Sequence, residues 1–452
     1  MAFDDIPSVS STKGLIKFDN KAKAAKVSLS DCLACSGCVT SAETVLLKQQ
    51  SAQEFISTCR AIRSGQHKSF KMIAVTISPQ VRASFAVKFS CSPQMAFAKI
   101  CGFLRRECGI EFVLDGGSLP SDVGQLEVAR EFVSRFRQGQ GRKKNVPMLT
   151  SSCPGWVCYA EKTHGHVLPY MSEAKSPQQI AGSVIKRHLL ATKGLQPNEV
   201  YHATVMQCPD KKLEGARKEF WMGADETFAE VNCVLTATEL CDVMLEVGQS
   251  NDLEQYFMNL PCEESMVCTN DLERMFGALQ TSEEPKAGGS GGLCAYVFRY
   301  AAHELFGVSI PPDSSLPFKP GRNPDTWTLE LEMDGATVLR FAASYGFRNI
   351  QDVVRRVKNG TASAHFVEVM ACPGGCTNGG GLLLPSDKEA SVANKRALSE
   401  AVSRAMEQIP RRLVGDNPLV REVIENNPES LKTTFNAVSD SLSANDGLMQ
   451  SW

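Results

Sequence analysis

Seven cysteines are spaced so that their thiolates could hold inorganic iron. Three stand together in Cys32-Leu-Ala-Cys35-Ser-Gly-Cys38, the spacing of the first three ligands of a bacterial-type ferredoxin cluster, with Gly37 easing the tight wrap. The other four come from distant stretches. Cys153-Pro154, Cys208-Pro209 and Cys372-Pro373 each follow an apolar strand-like run, and the third continues through Gly374 and Gly375 to Cys376. With 22 prolines in 452 residues, chance places proline after about one of the 17 cysteines; here it follows three. Four thiolates suit either tetrahedral zinc or a cubane iron-sulfur cluster. Structural zinc favours paired knuckles close in sequence. These sulfurs instead run from 153 to 376, and Gly379, Gly380 and Gly381 let backbone approach a bulky ligand. The spread favours a cluster, with zinc as the alternative at both sites.

A cluster held by four thiolates is anionic, so burying it calls for N–H donors and a nearby cation. Lys211, three residues after Cys208, is placed for that; the plainer reading is a solvent-exposed lysine paired with Glu214. The ten remaining cysteines, Cys59, Cys91, Cys101, Cys108, Cys158, Cys233, Cys241, Cys262, Cys268 and Cys294, lack such context and read as buried filler. His164 and His166 flank Gly165 in a pattern more typical of a surface loop than of a ligand pair.

The elements that must position these residues alternate. Apolar runs at 71–77, 111–114, 146–150, 200–206, 230–235 and 366–370 predict strands, and amphipathic stretches at 180–190, 295–305 and 393–406 predict helices. That alternation predicts an α/β sheet covered by helices, whose ligand site lies outside the carboxyl ends of the strands. Three Cys-Pro strand ends could then share one crevice. The boundaries expected are a small N-terminal module over 1–70, a main domain over 71–435 and a Ser/Asn/Asp-rich tail over 436–452. Loops are expected at 138–144, which is Gly-rich and basic without interleaved aromatics, and at 283–292, which contains GGSGG.

Composition narrows the function classes. Forty-eight basic against fifty acidic side chains leave a net charge of -2, so no global field draws the chain to nucleic acid or to a membrane surface. There is no apolar run of about 18 residues to span a bilayer, and the first residues do not read as a secretory or transit signal. Cysteine at about 3.8% is too sparse for a disulfide scaffold. The expected compartment is the cytosol or nucleus.

The segments SDCLACSGCVTSAE at 30–43, TSSCPGWVCYAEKTHG at 150–165, VMQCPDKKLEGAR at 205–217 and EVMACPGGCTNGGG at 368–381, with the closing Trp452, resemble the iron-only hydrogenase-like family. The likeness is to its eukaryotic cytosolic branch, the iron-sulfur assembly factors also called nuclear prelamin A recognition factor-like proteins. The resemblance implies a two-lobed α/β core behind a small ferredoxin-like module, and two [4Fe-4S] clusters. Cys153, Cys208, Cys372 and Cys376 would hold one at the lobe junction, and Cys32, Cys35 and Cys38 would help hold the other. It also implies a component of cytosolic iron-sulfur assembly that takes clusters from an upstream scaffold towards apoprotein clients, with the N-terminal site the exchangeable one.

Two departures stand out. Hydrogenases carry two consecutive cysteines before Pro-Gly-Trp, the first relaying protons to a di-iron subsite. Ser152 stands there instead, and a hydroxyl is far less acidic than a thiol, so hydrogen turnover is not expected. Relatives also use a fourth cysteine upstream of Cys32, and residues 1–31 contain none. That site would be incomplete, labile, or completed by Cys59 or a non-cysteine ligand. The competing readings are a hydrogenase-type redox enzyme with the N-terminal cluster as electron inlet, and a zinc-bearing lamin-binding protein.

An indole beside a free carboxylate is a compact anchor for a partner pocket. By the family likeness, Trp452 docks on the cytosolic iron-sulfur targeting complex. Deleting Trp452 is expected to weaken capture of that complex in a pull-down while leaving folding and bound iron unchanged; equal capture by both proteins would remove the assignment.

Overall fold

The computed structural model describes residues 50–139, 146–189, 194–223, 227–262, 290–312, 314–383, 392–409, 413–426 and 428–437. Cys32, Cys35, Cys38, Cys268 and Trp452 lie outside them, as do most of the two expected loops.

The strands are β1 (Met72–Ile77), β2 (Phe112–Asp115), β3 (Met148–Thr150), β4 (Val200–Met206), β5 (Trp221–Met222), β6 (Phe228–Ala229), β7 (Cys233–Thr236), β8 (Lys319–Pro320), β9 (Thr326–Met333), β10 (Ala336–Tyr345) and β11 (Phe366–Met370). The helices begin with α1 (Ala52–Arg63), α2 (Pro79–Lys88), α3 (Pro93–Arg106), α4 (Leu119–Gly139) and α5 (Pro154–Thr163). They continue with α6 (Pro177–Val184), α7 (Asp210–Gly215), α8 (Ala237–Val247) and α9 (Leu253–Asn259). Then come α10 (Leu293–Phe306), α11 (Phe347–Lys358), α12 (Val392–Met406) and α13 (Pro418–Asn426). The helix expected over 180–190 divides into α6 and a π turn at Ile185–Leu189.

Among the described residues the α/β architecture takes the form of two main sheets, with β5 and β6 paired as a separate antiparallel ribbon. In the first, the order β2-β1-β4-β7 is parallel throughout. In the second, ordered β3-β11-β10-β9-β8, the first three strands are parallel and the last two are added antiparallel. The parallel strands β1, β2, β3, β4, β7 and β11 are buried on both faces, which is why they read as continuous apolar runs, whereas β8 and β9 and the start of β10 are partly exposed. Along β1 the period-2 alternation assigns Met72 and Ala74 to one hydrophobic cluster and Ile73, Val75 and Ile77 to another. The second sheet divides likewise, with Leu149, Val367 and Val369 on one face and Met148, Phe341 and Phe366 on the other. Phe341 stacks on Phe366 at 4.6 Å between centroids, and Phe132 of α4 meets both edge-on. Each such buried ring contributes about 1.5–3 kcal/mol.

Helix starts are written locally. Ser78 and Ser92 accept the amide hydrogens of Val81 and Met95, and Pro79 and Pro93 occupy the first helical positions of α2 and α3. Helix α1, inside the expected N-terminal module, buries Phe55, Ile56 and Cys59 in the same cluster as Ile73 and Val75. The chain is tied to the core from Gln50 onward, and at the other end through Asn436, whose amide donates to Glu161.

His202 in β4 is fully buried between Thr76 Oγ1 and the Glu230 carbonyl, at 2.9 and 3.0 Å. Burial depresses its pKa to about 3. An unfolded histidine titrates near 6.5, so below that pH the unfolded chain binds the extra proton and stability falls towards pH 3. By pH 5 the loss from this residue is about 2 kcal/mol. The urea midpoint of the wild type should therefore fall more steeply between pH 7 and 5 than that of His202→Gln; parallel slopes would refute the assignment.

Candidate metal centre

The carboxyl ends of β3, β4 and β11 carry the four expected core cysteines. At the end of β3, Ser151 Oγ donates to the Val369 carbonyl at 2.5 Å and accepts from Cys153 N at 3.0 Å, tying the loop to neighbouring β11. Cys153 is the N-cap of α5, with Pro154 at its first position. There the backbone amides of Trp156 and Ala371 serve its sulfur, and the helix end favours negative charge. Cys208 lies between β4 and α7. After β11, Gly374 and Gly375 adopt φ of 73° and 82°, so the chain doubles back between Cys372 and Cys376.

The four thiols lie within electrostatic reach of one another. Burial raises Cys153 to about 12, helped by Cys376 and Asp210. Cys208 is raised well above its ordinary value by burial, then by Asp210, Cys153, Cys372 and Cys376. Cys376 is also raised by burial, opposed first by the Lys211 ammonium and then by hydrogen bonds from Ser290 and Gln207. Cys153 is buried and the other three are half-buried. Thiols so placed stay protonated until a metal displaces the proton.

Lys211 is buried rather than exposed, and its Nζ lies 2.5 Å from Glu214 Oε2 and 3.1 Å from Ser176 Oγ. The expected pairing with Glu214 is present but buried, which corrects the expectation of an exposed lysine, and its charge lowers the Cys376 pKa.

Several neighbours escaped the sequence reading. Asp210 is buried beside Cys153 and Cys208, and burial lifts its carboxyl to about 7. Gln207 serves Cys376, while its Oε1 has no partner among the described residues. Ser290, in the expected GGSGG linker, accepts from Cys376 N at 3.2 Å. Glu368, on β11, is buried with Tyr345 Oη at 3.1 Å and Cys294 N at 2.9 Å. Only tertiary contact reveals these roles, although Gln207 and Asp210 flank a Cys-Pro step.

Of the cysteines read as filler, Cys59, Cys101, Cys108, Cys158, Cys233, Cys241 and Cys294 are buried, Cys91 is half-buried and Cys262 is exposed. Cys59, considered as a fourth N-terminal ligand, is 3% exposed inside the core, and burial raises its thiol far above the usual range.

Among the described residues, no three His, Cys, Asp or Glu side chains converge to hold one metal ion. A tetrahedral zinc would need its sulfurs about 4 Å apart. A cubane spaces its ligands more widely. The donor set suits a cluster ligated by thiolates: four thiols, amides from Trp156 and Ala371, the Gln207 and Ser290 side chains, and a buried ammonium. Glycine completes the cradle, since a Cβ on Gly379 would lie 2.4 Å from the Gln207 carbonyl oxygen.

The family model "Iron only hydrogenase large subunit, C-terminal domain" matches residues 71–380. A Xenopus tropicalis protein named cytosolic Fe-S cluster assembly factor narfl is 45% identical, covering 80% of this chain and 72% of its own. The Rattus norvegicus protein named cytosolic iron-sulfur assembly component 3 is 42% identical, covering 90% of this chain and 81% of its own. Among solved structures, a variant of the [FeFe]-hydrogenase HydA1 from Chlamydomonas reinhardtii superposes with a TM-score of 0.68 at 24% identity. That match covers 86% of this chain and 99% of the hydrogenase chain, and it speaks for the fold alone.

Gly379 has φ of -66°, which alanine tolerates, so a Gly379→Ala change tests the close approach and not backbone strain. It is expected to cost about 1–3 kcal/mol through overpacking and to lower iron per chain. Gly415→Ala, with no atom within 4 Å of the added Cβ, should change neither quantity. Denaturant midpoints and iron analysis check both.

Proposed function

We infer, since the chain belongs to the iron-only hydrogenase large-subunit family and to its branch of cytosolic iron-sulfur assembly factors, that it works in cytosolic iron-sulfur protein assembly as a cluster-bearing component. The observation that carries this reading is the meeting of Cys153, Cys208, Cys372 and Cys376 at the carboxyl ends of strands from two sheets. These residues would hold one [4Fe-4S] cluster, which when bound supplies a one-electron couple and a transferable iron-sulfur unit. Cys32, Cys35 and Cys38 would help hold the second.

The residues around the core site divide the remaining work. Gln207, Ser290 and the amides of Ala371 and Trp156 donate hydrogen bonds that stabilise thiolate sulfur, and Lys211 offsets its negative charge. Ser152 precedes Cys153 where a hydrogenase has a thiol, and a hydroxyl, far less acidic than a thiol, is a poor carrier of protons at neutral pH. This favours a carrier or adaptor over the hydrogenase-type redox alternative. The N-terminal cluster would be the one exchanged, received from an upstream scaffold and passed to apoprotein clients through the targeting complex. The relatives' names place them in the cytosol and give the nuclear alternative no support. Among the described residues no helix is long and apolar enough to cross a membrane.

Anaerobic purification should give brown protein with about four irons and four acid-labile sulfides in the core site. Cys208→Ala should lose that iron while the N-terminal iron remains, and chelator should strip the N-terminal site first. A colourless protein holding zinc, or loss of core iron first, would refute this division.

A further inference from the structure

Both ends of the described chain are fastened to the stretch that follows Cys208, one to Lys212 within α7 and the other to Arg217 just after it. At one end, Gln50 Nε2 donates to the Lys212 carbonyl at 3.0 Å, Lys212 Nζ donates to the Gln50 carbonyl at 2.6 Å, and Gln50 Oε1 accepts from Val234 N at 3.0 Å. At the other end, the segment 430–437 is bonded to the core through Glu173, Glu161 and Arg217. Its Thr433 amide donates to the Glu173 carbonyl at 2.7 Å, and its Asn436 amide to Glu161 Oε1 at 3.0 Å. Glu161 is in turn gripped by both terminal nitrogens of Arg217, at 2.9 and 3.0 Å, and Arg217 also reaches the Thr434 carbonyl. Lys212 lies in α7 and Arg217 two residues beyond it, while Cys208 lies two residues before it. Glu161 lies in α5, the helix that Cys153 caps.

Six residues are too few for a helix to hold itself together, because the first turn costs more order than its hydrogen bonds return. Helix α7 therefore depends on what pins it. Every residue of it is buried, and its polar side chains are bonded outward: Lys211 to Ser176, Lys212 to Gln50 and Glu239. At its start, the Gln207 carbonyl accepts from Gly381 N and the Cys208 and Pro209 carbonyls accept from Lys211 N and Lys212 N, so ligation of the Cys208 sulfur would add a side-chain anchor to a backbone already bonded. Ligation of Cys153 and Cys208 by a common group would fix the starts of α5 and α7 relative to each other, and thereby the Glu161–Arg217 pair that spans them.

We propose that the stretch from Cys208 to Arg217 is a shared latch: when Cys208 is ligated the stretch is held, and through Lys212 and Arg217 it clamps both Gln50 and the 430–437 segment, so that filling of the core site sets how firmly those two segments are seated. This rests on the reading of the core site as an iron-sulfur centre. The energetic requirement is modest, because the ligated and unligated states need differ only in how often the latch opens.

Hydrogen exchange followed by mass spectrometry on the full-length protein tests it, with anaerobic iron-loaded protein compared with protein stripped by chelator. Stripping should speed exchange about tenfold in peptides covering 50–56 and 430–437, with β9 unchanged. In loaded protein, Arg217→Gln should free 430–437 alone and Lys212→Met should free 50–56 alone, both with full core iron. Unchanged exchange in a protein shown to gain and lose its core iron would overturn the latch but leave the centre standing. Acceleration at one end only, or equal acceleration in β9, would overturn it too. Failure to bind core iron at all would overturn the reading of the centre, and the latch with it.

Discussion

Sulfur ligands that become anionic inside a core are costly unless donors surround them and geometry brings them to one place. No short segment of this chain supplies four of them. They come from behind β3, β4 and β11, so the site exists only if two separate sheets present their carboxyl edges to one junction. Much of the fold serves that requirement. Parallel pairing puts strand ends on one side, double-sided burial of those strands fixes the register, and the bond from Gly381 N to the Gln207 carbonyl, with the close approach of Gly379, sets the distance between the halves.

Once the sulfurs are gathered, the surroundings must be polar without being wet. The same stretch that provides Cys208 also provides Gln207, Asp210, Lys211 and Glu214, three of them buried charged groups within one helix. Such groups are tolerated because their partners are fixed: Lys211 with Glu214 and Ser176, Lys212 with Glu239 and Gln50. A buried charge that loses its partner is strongly destabilising. The short helix after Cys208 is thus held by these partners, and loosening it would expose the charges they pair.

Much of this was legible in the sequence because it was written locally. The apolar runs of β4 and β11 gave their bounds without error, and Cys-Pro steps behind strands pointed to the shared crevice. The antiparallel addition to the second sheet was not anticipated, although Asp334-Gly335 between β9 and β10 is the two-residue signal for a tight hairpin, and both residues adopt positive φ. The roles of Ser290, Glu368 and Asp210 could not be read, because each depends on which distant residue lies opposite. Ser290 sat in a run whose composition says only linker. Lys211 shows the limit from the other side: its partner Glu214 was visible at helical spacing, but its burial was not.

The backbone bonds from Gly381 N to the Gln207 carbonyl and from Thr238 N to the Gly381 carbonyl, at 2.9 and 3.2 Å, join the two halves without using any sulfur. An emptied protein would therefore keep its halves in register. Recharging would then be a matter of delivering iron and sulfide to a mould that already exists, rather than of folding the polypeptide again around its cargo.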